Sequence, residues 1–182
     1  AASKSIMGLL YFSHGEYSSA EPLYMHALKI NEKALGEDHP DVANDLDNLA
    51  LLFQAQGRYS ESIPLYKRAL QIKEKSFGLD HINAATTMNN LAALYYSQGV
   101  YEEAEPLFKR VLAIREKNPK TSHDNLTTSL NILALVYQAQ GKYNEAEPLL
   151  KKALTLSEKA HGQYNPAYAT SLNNLAGLYK LQ

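Results

Sequence analysis

The chain has 182 residues, 45% hydrophobic and 20% charged, with 18 Lys and Arg against 19 Asp and Glu and a formal net charge of -1. That balance excludes a disordered polyelectrolyte and lacks the basic footprint with which a nucleic-acid binder displaces counterions, and the absence of cysteine excludes disulfides, thiolate metal sites and thiol nucleophiles together. No apolar run approaches the roughly 18 residues of a membrane span and the opening residues lack the layout of a cleavable signal, so no membrane association and a cytoplasmic location are expected.

Self-similarity organises everything else. The first unit, about 1–42, carries Met7-Gly8, Tyr11, Gly15, Tyr17, Ala20, Pro22 and Ala27. The second, 43–84, repeats the series 42 positions later as Leu49-Ala50, Phe53, Gly57, Tyr59, Ser62, Pro64 and Ala69. The third, 85–126, gives Leu91-Ala92, Tyr95, Gly99, Tyr101, Ala104, Pro106 and Val111, and the fourth, 127–168, gives Leu133-Ala134, Tyr137, Gly141, Tyr143, Ala146, Pro148 and Ala153. A terminal helix at 169–182 with LNNLAGLY at 172–179 opens a fifth round, so the sequence reads as an excerpt of a longer chain.

Within each unit the apolar residues recur at helical spacing, as in Leu46, Leu49, Leu52 and Phe53, then Leu65, Tyr66, Ala69, Leu70 and Ile72, which predicts two amphipathic helices per repeat. The glycine between them is expected to end the first helix in the left-handed cap conformation. Ser18, Ser60 and Asn144 are expected to cap the second helix, with Glu21 and Glu147 in capping-box spacing and the proline in the first turn. A helix pair of this kind cannot bury its apolar face alone, so neighbouring pairs must stack.

This pattern resembles the tetratricopeptide repeat, whose usual period is 34 residues. The connection LGEDHPDVA at 35–43, AIREK at 113–117, LNILALVYQAQGKY at 130–143 and EAEPL at 103–107 and 145–149 resemble the kinesin light chain version of it, over nearly the whole chain. The resemblance implies an all-α, right-handed α-α superhelical solenoid, a single domain over 1–182, with the first helix of each pair on a concave inner wall. Residues thirteen, ten, nine, six and three before each glycine share the face opposite the packed leucines and aromatics. That face is Asn44, Asp47, Asn48, Leu51 and Gln54; then Thr86, Asn89, Asn90, Ala93 and Tyr96; then Thr128, Asn131, Ile132, Leu135 and Gln138. The terminal helix adds Thr170, Asn173, Asn174, Gly177 and Lys180. Carboxamides dominate, and a ladder of them can hold the backbone of an extended peptide without demanding a particular side chain. The competing structural reading is that these amides bond neighbouring helices or face water. Tyr96, like Phe12, stands where other repeats have glutamine, either as an aromatic anchor for a partner or packed against the adjacent repeat. Kinesin light chains present basic groove residues suited to tryptophan-acidic peptides, whereas FQAQG, YYSQG and VYQAQG here are uncharged.

Candidate chemistry is sparse. His39, His81 and His123 recur once per repeat, too far apart to share one ion, and are expected to serve the turns. Glu102, Glu103 and Glu105, and again Glu145 and Glu147, begin helices, where negative charge suits the dipole. No phosphate loop, HExxH or serine elbow is present. No enzyme, cofactor or metal is therefore expected. The expected function is a scaffold or adaptor that binds a protein or peptide partner in the groove. The alternative is a regulatory or sensor arm of a larger enzyme or signalling protein.

Overall fold

The computed structural model describes residues 2–118 and 120–182, with side chains from residue 6 onward and without that of Pro119; Ala1 and the proline of the 118–126 connection lie outside the described residues. The class is all-α, with no strand among the described residues. Backbone contacts divide the chain into two compact units, 1–94 and 95–182. The first holds α1 (Ala2–Ser13), α2 (Tyr17–Leu35), α3 (Pro40–Ala55), α4 (Tyr59–Phe77) and most of α5 (Ile82–Ser97). The second holds the end of α5, α6 (Tyr101–Lys117), α7 (His123–Ala139), α8 (Tyr143–His161) and α9 (Pro166–Leu181).

The turn between paired helices explains the fixed glycine. At the end of α3 the Arg58 N–H donates to the Phe53 carbonyl (2.8 Å) and the Gly57 N–H to the Gln54 carbonyl (3.0 Å), closing the last turn in a Schellman motif. This geometry needs φ of +75° at Gly57, which a residue with a Cβ adopts only at a cost.

The second helices depart from the expected serine and asparagine caps. Each begins at the tyrosine two residues after the glycine, directly out of the turn, and the residues before them, Glu16, Arg58, Val100 and Lys142, make no side-chain cap bond. Ser18, Ser60 and Asn144 therefore sit one position inside the helix and cap nothing. Glu21 instead pairs with Arg58, and Glu147 with Lys151 and the Tyr179 hydroxyl. The prolines fall at the sixth helical residue rather than in the first turn, because the helix starts earlier than a serine cap would have it.

The core lies along the stripe that the repeat defines. In the first unit Ala20, Tyr24, Leu49, Leu52 and Phe53 form one cluster and Val42, Ala43, Leu46, Ala69 and Ile72 another, with Leu28 and Leu65 packed against both. In the second unit Leu130, Leu133, Ala134, Val136, Ala146, Leu150 and Ala153 are buried. Ion pairs step from one repeat to the next, Glu21–Arg58 and Glu32–Arg68 in the first unit, Glu105–Lys142 and Glu116–Lys152 in the second. Partly exposed pairs of this kind fix orientation more than they stabilise.

Two glycines make opposite predictions. A Cβ at either Gly57 or Gly177 meets nothing within 4 Å, so only backbone preference acts. Gly57→Ala should destabilise by about 1–2 kcal/mol, while Gly177→Ala, in the interior of α9, should stabilise by about 0.5–1 kcal/mol. Urea unfolding of both variants checks the pair of signs.

Candidate functional site

In the first unit, α3 and α5 each turn one polar face toward a pocket of about 820 Å³. Asn44, Asp47, Asn48 and Leu51 line it from α3, Asn83, Thr86 and Asn90 from α5, with Pro40 and Ile82 at the two helix starts. The end of α4 contributes Lys73 and Phe77. Asn44 and Thr86 are exposed, and Asn48 and Asn90 half-buried. The side-chain amides of Asn44, Asn48 and Asn90 hold no hydrogen bond among the described residues. An asparagine in mid-helix is locally unfavourable, and these three gain no internal bond in exchange. Asn89 is also half-buried and lies beside the pocket rather than in its lining.

Asp47 lines the pocket but is already engaged within the chain. Its side chain is 15% exposed, and its Oδ2 accepts from Lys73 Nζ and from Thr87 Oγ1, both at 2.7 Å, while Oδ1 is buried without a partner. Burial pushes its carboxyl above the usual range, against the pull of the Lys73 ammonium and the Thr87 hydroxyl. Asp47 thus ties α3 to α4 and α5 at the pocket floor. Gln54 is likewise engaged, accepting from the buried Tyr66 hydroxyl at 3.1 Å.

Lys73 and Phe77 escape a reading confined to first helices. A signal for Lys73 is present, however: four residues after Ala27, Ala69, Val111 and Ala153 stand Asn31, Lys73, Arg115 and Ser157, polar in every repeat on a stripe that is otherwise core. Asn31 donates to Asp45 (2.6 Å) and Arg115 to Ser129 (2.6 Å), each fourteen residues on. Lys73 reaches Asp47 instead, and Thr87, fourteen residues from Lys73, closes the same carboxylate.

In the second unit the predicted face is less uniform. Asn131 is corrected to a structural residue: it is only 9% exposed, and its amide donates to the buried Ser171 hydroxyl at 3.4 Å, joining α7 to α9. Thr128 is exposed and donates back to the Asp124 carbonyl within its own helix. Gln138 is half-buried, with its Nε2 enclosed and unpartnered. Asn173 is exposed and Asn174 half-buried. Tyr96 is half-buried with its ring 5.5 Å from that of Tyr101. A separate pocket of about 540 Å³ lies beside Tyr101, Glu105, Lys109 and Lys142, where bonds from Lys109, Lys142 and Gln140 hold the Glu105 carboxyl down at about 2.

The recurrent histidines serve the turns as caps. His39 Nδ1 accepts from the Asp41 N–H (3.1 Å) and His81 Nδ1 from the Asn83 N–H (3.2 Å). At the third connection Ser122 takes over, and His123 becomes the first helical residue. Among the described residues, no three His, Asp or Glu side chains gather as metal ligands, and no helix is long and apolar enough to cross a membrane.

Comparison with known proteins agrees with this architecture. The tetratricopeptide repeat family profile matches residues 1–75, 45–117 and 124–182. A structure of putative kinesin light chain TPR-like repeats from Podosopora anserina, nearly identical to one another, is 27% identical, with a TM-score of 0.88 over 99% of this chain and 85% of that one. BtubC (BKLC) from P. vanneervenii is 28% identical, with a TM-score of 0.82 over 90% of this chain and 65% of its own. The apo form of RapI, 19% identical over 97% of this chain and 62% of that one with a TM-score of 0.82, shares the fold. No curated protein matches the chain.

The pocket floor gives a signed prediction. Lys73→Met leaves the buried Asp47 carboxylate without its cation and should destabilise by about 3 kcal/mol at neutral pH. Because the Asp47 carboxyl is raised above its unfolded value, its protonated form favours the folded state. Losing Lys73 removes a pull that lowers this carboxyl, so in the variant it rises further and the deficit should shrink as pH falls through the variant's value. Chemical denaturation of both proteins from neutral pH to about pH 4 reads the trend.

Proposed function

The chain belongs to the tetratricopeptide repeat family, with repeats of the kinesin light chain type, and we propose that it binds a peptide segment of a protein partner along the polar faces of its first helices. Membership makes it a repeat scaffold for protein interaction. The finer reading, a peptide held in the pocket between α3, α4 and α5, rests on one observation. Asn48 and Asn90 keep half-exposed amides, free of internal bonds, in the lining of a concave site. Each can donate to a peptide carbonyl and accept from a peptide N–H, the requirement for gripping extended backbone without reading side chains. In the second unit the exposed Asn173 and half-buried Asn174 join the proposed set, whereas the amide of Asn131 is spent on Ser171.

Replacing both Asn48 and Asn90 by alanine should weaken a partner peptide by about 2 kcal/mol, roughly 30-fold in Kd. The same change should leave helicity intact or raise it, since alanine is the better helix former. Pull-down with the native chain as bait, followed by calorimetry on the captured partner's binding segment with both proteins, measures the difference. Equal affinities would remove the pocket from the binding site.

A further inference from the structure

The pocket in the first unit differs from its counterparts in composition. At the position of Asp47 the later repeats carry Asn89, Asn131 and Asn173, and at that of Lys73 the third and fourth carry Arg115 and Ser157. Leu51 keeps the leucine of Leu9 and Leu135, but Phe77 and Ile82 beside it stand where the fourth repeat has His161 and the terminal helix Pro166. A repeat array that departs from its own pattern at one place, in several residues that meet, does so where a specific requirement acts.

The site has two features. One is an apolar shelf: Leu51 is 38% exposed and Phe77 39% exposed, although both are large hydrophobic residues, and Ile82 joins them in the lining. The Phe77 ring is held in place by stacking on His81, centroids 5.2 Å apart. The other is electroneutrality. Asp47 and Lys73 are the only charged residues in the lining, and they pair with each other at 2.7 Å.

We propose that this pocket selects an uncharged stretch of extended peptide that lays one large apolar side chain on the Leu51, Phe77 and Ile82 shelf while Asn48 and Asn90 hold its backbone. The inference rests on the groove reading above and names the ligand class. An acidic side chain entering here loses water and finds the Lys73 ammonium already engaged and the Asp47 carboxylate beside it. A basic one finds one Asp47 oxygen already accepting two bonds and the other sealed from solvent, with the Lys73 cation adjacent. Either charge is desolvated without a counter-ion. An apolar side chain displaces water from Leu51 and Phe77 and meets no opposing term.

Selection from a displayed library of random nine-residue peptides tests the assignment, with the native chain as target. The selected peptides are then measured against Leu51→Asp, Phe77→Asp and the Asn48→Ala, Asn90→Ala double variant. Leu51 and Phe77 are both exposed, and circular dichroism confirms that the variants fold. The expected result is enrichment of peptides with Leu, Ile, Met or Phe at one position and neutral flanks. Their affinity should fall at least tenfold with Leu51→Asp or Phe77→Asp, and on replacing that one residue by Asp or Lys. Acidic or basic peptides that depend on Asn48 and Asn90 would overturn the neutral-ligand assignment and leave the groove reading standing. Peptides indifferent to every variant, or no enrichment at all, would overturn both.

Discussion

Where Tyr24 lies across Gly8, a Cβ added to the glycine would sit 2.8 Å from the ring, so the separation between the two helices of that pair is set by the lack of a side chain. The same pair of positions is Ala50 with Tyr66 in the second repeat and Ala134 with Leu150 in the fourth, and all four residues are inaccessible. Beside Ala50 the Ser62 hydroxyl donates to the Ala50 carbonyl at 2.7 Å, a buried bond that requires the backbones to be close. A large residue at the small position would push the helices apart, and a small residue at the large position would open a cavity. The constant spacing of glycine, proline and tyrosine in the sequence is the covalent expression of this one contact.

The function of the opposite face depends on that contact. Once the core stripe of α3 is committed to α2 and α4, the side chains of Asn44 and Asn48 on the opposite face make no internal bond among the described residues, and amides stand there instead of the alanine or leucine that helix propensity would favour. The second helices add to this face only near their ends. Lys73 occupies the position at which Asn31 and Arg115 tie one repeat to the next, but its ammonium turns to Asp47. That exchange brings a buried ion pair to the pocket floor and, with Phe77 one turn further on, converts a polar face into a site with a neutral base and an apolar side.

The helix-pair architecture was legible because it depends on spacing, and spacing survives substitution: Tyr24, Tyr66, Phe108 and Leu150 differ in shape yet hold one place. Caps were less legible because they depend on one or two residues and slide by a position. Ser18, Ser60 and Asn144 look like caps, but the glycine turn delivers the chain into helix before reaching them. Conversely, His39 and His81 do cap, through a ring nitrogen, and Asn165 does so at the equivalent place before α9. The candidate face was legible as a face and not as a set of free groups. Asn131 stands at the place of Asp47, and both are spent within the chain, one on Ser171 and the other on Lys73 and Thr87, which the residue itself does not announce.

The ends of the described array show why single-residue reading has this limit. Leu10 is 57% exposed, while Leu52, Leu94, Val136 and Leu178 at the same place in later repeats are fully buried. Leu172 is 45% exposed, while Leu46, Met88 and Leu130, its counterparts in earlier repeats, are fully buried. Leu52 packs with Ala20 and Tyr24 of the repeat before it, and Leu46 packs with Ala69 and Ile72 of the helix after it. The first position is therefore covered by the preceding repeat and the second by the succeeding helix. Burial here belongs to the neighbour and not to the residue, which makes stability a sum of nearest-neighbour terms. A change at a repeat junction, such as the loss of Lys73, should act on α3 directly and on α5 through Asp47, and only weakly on repeats further along.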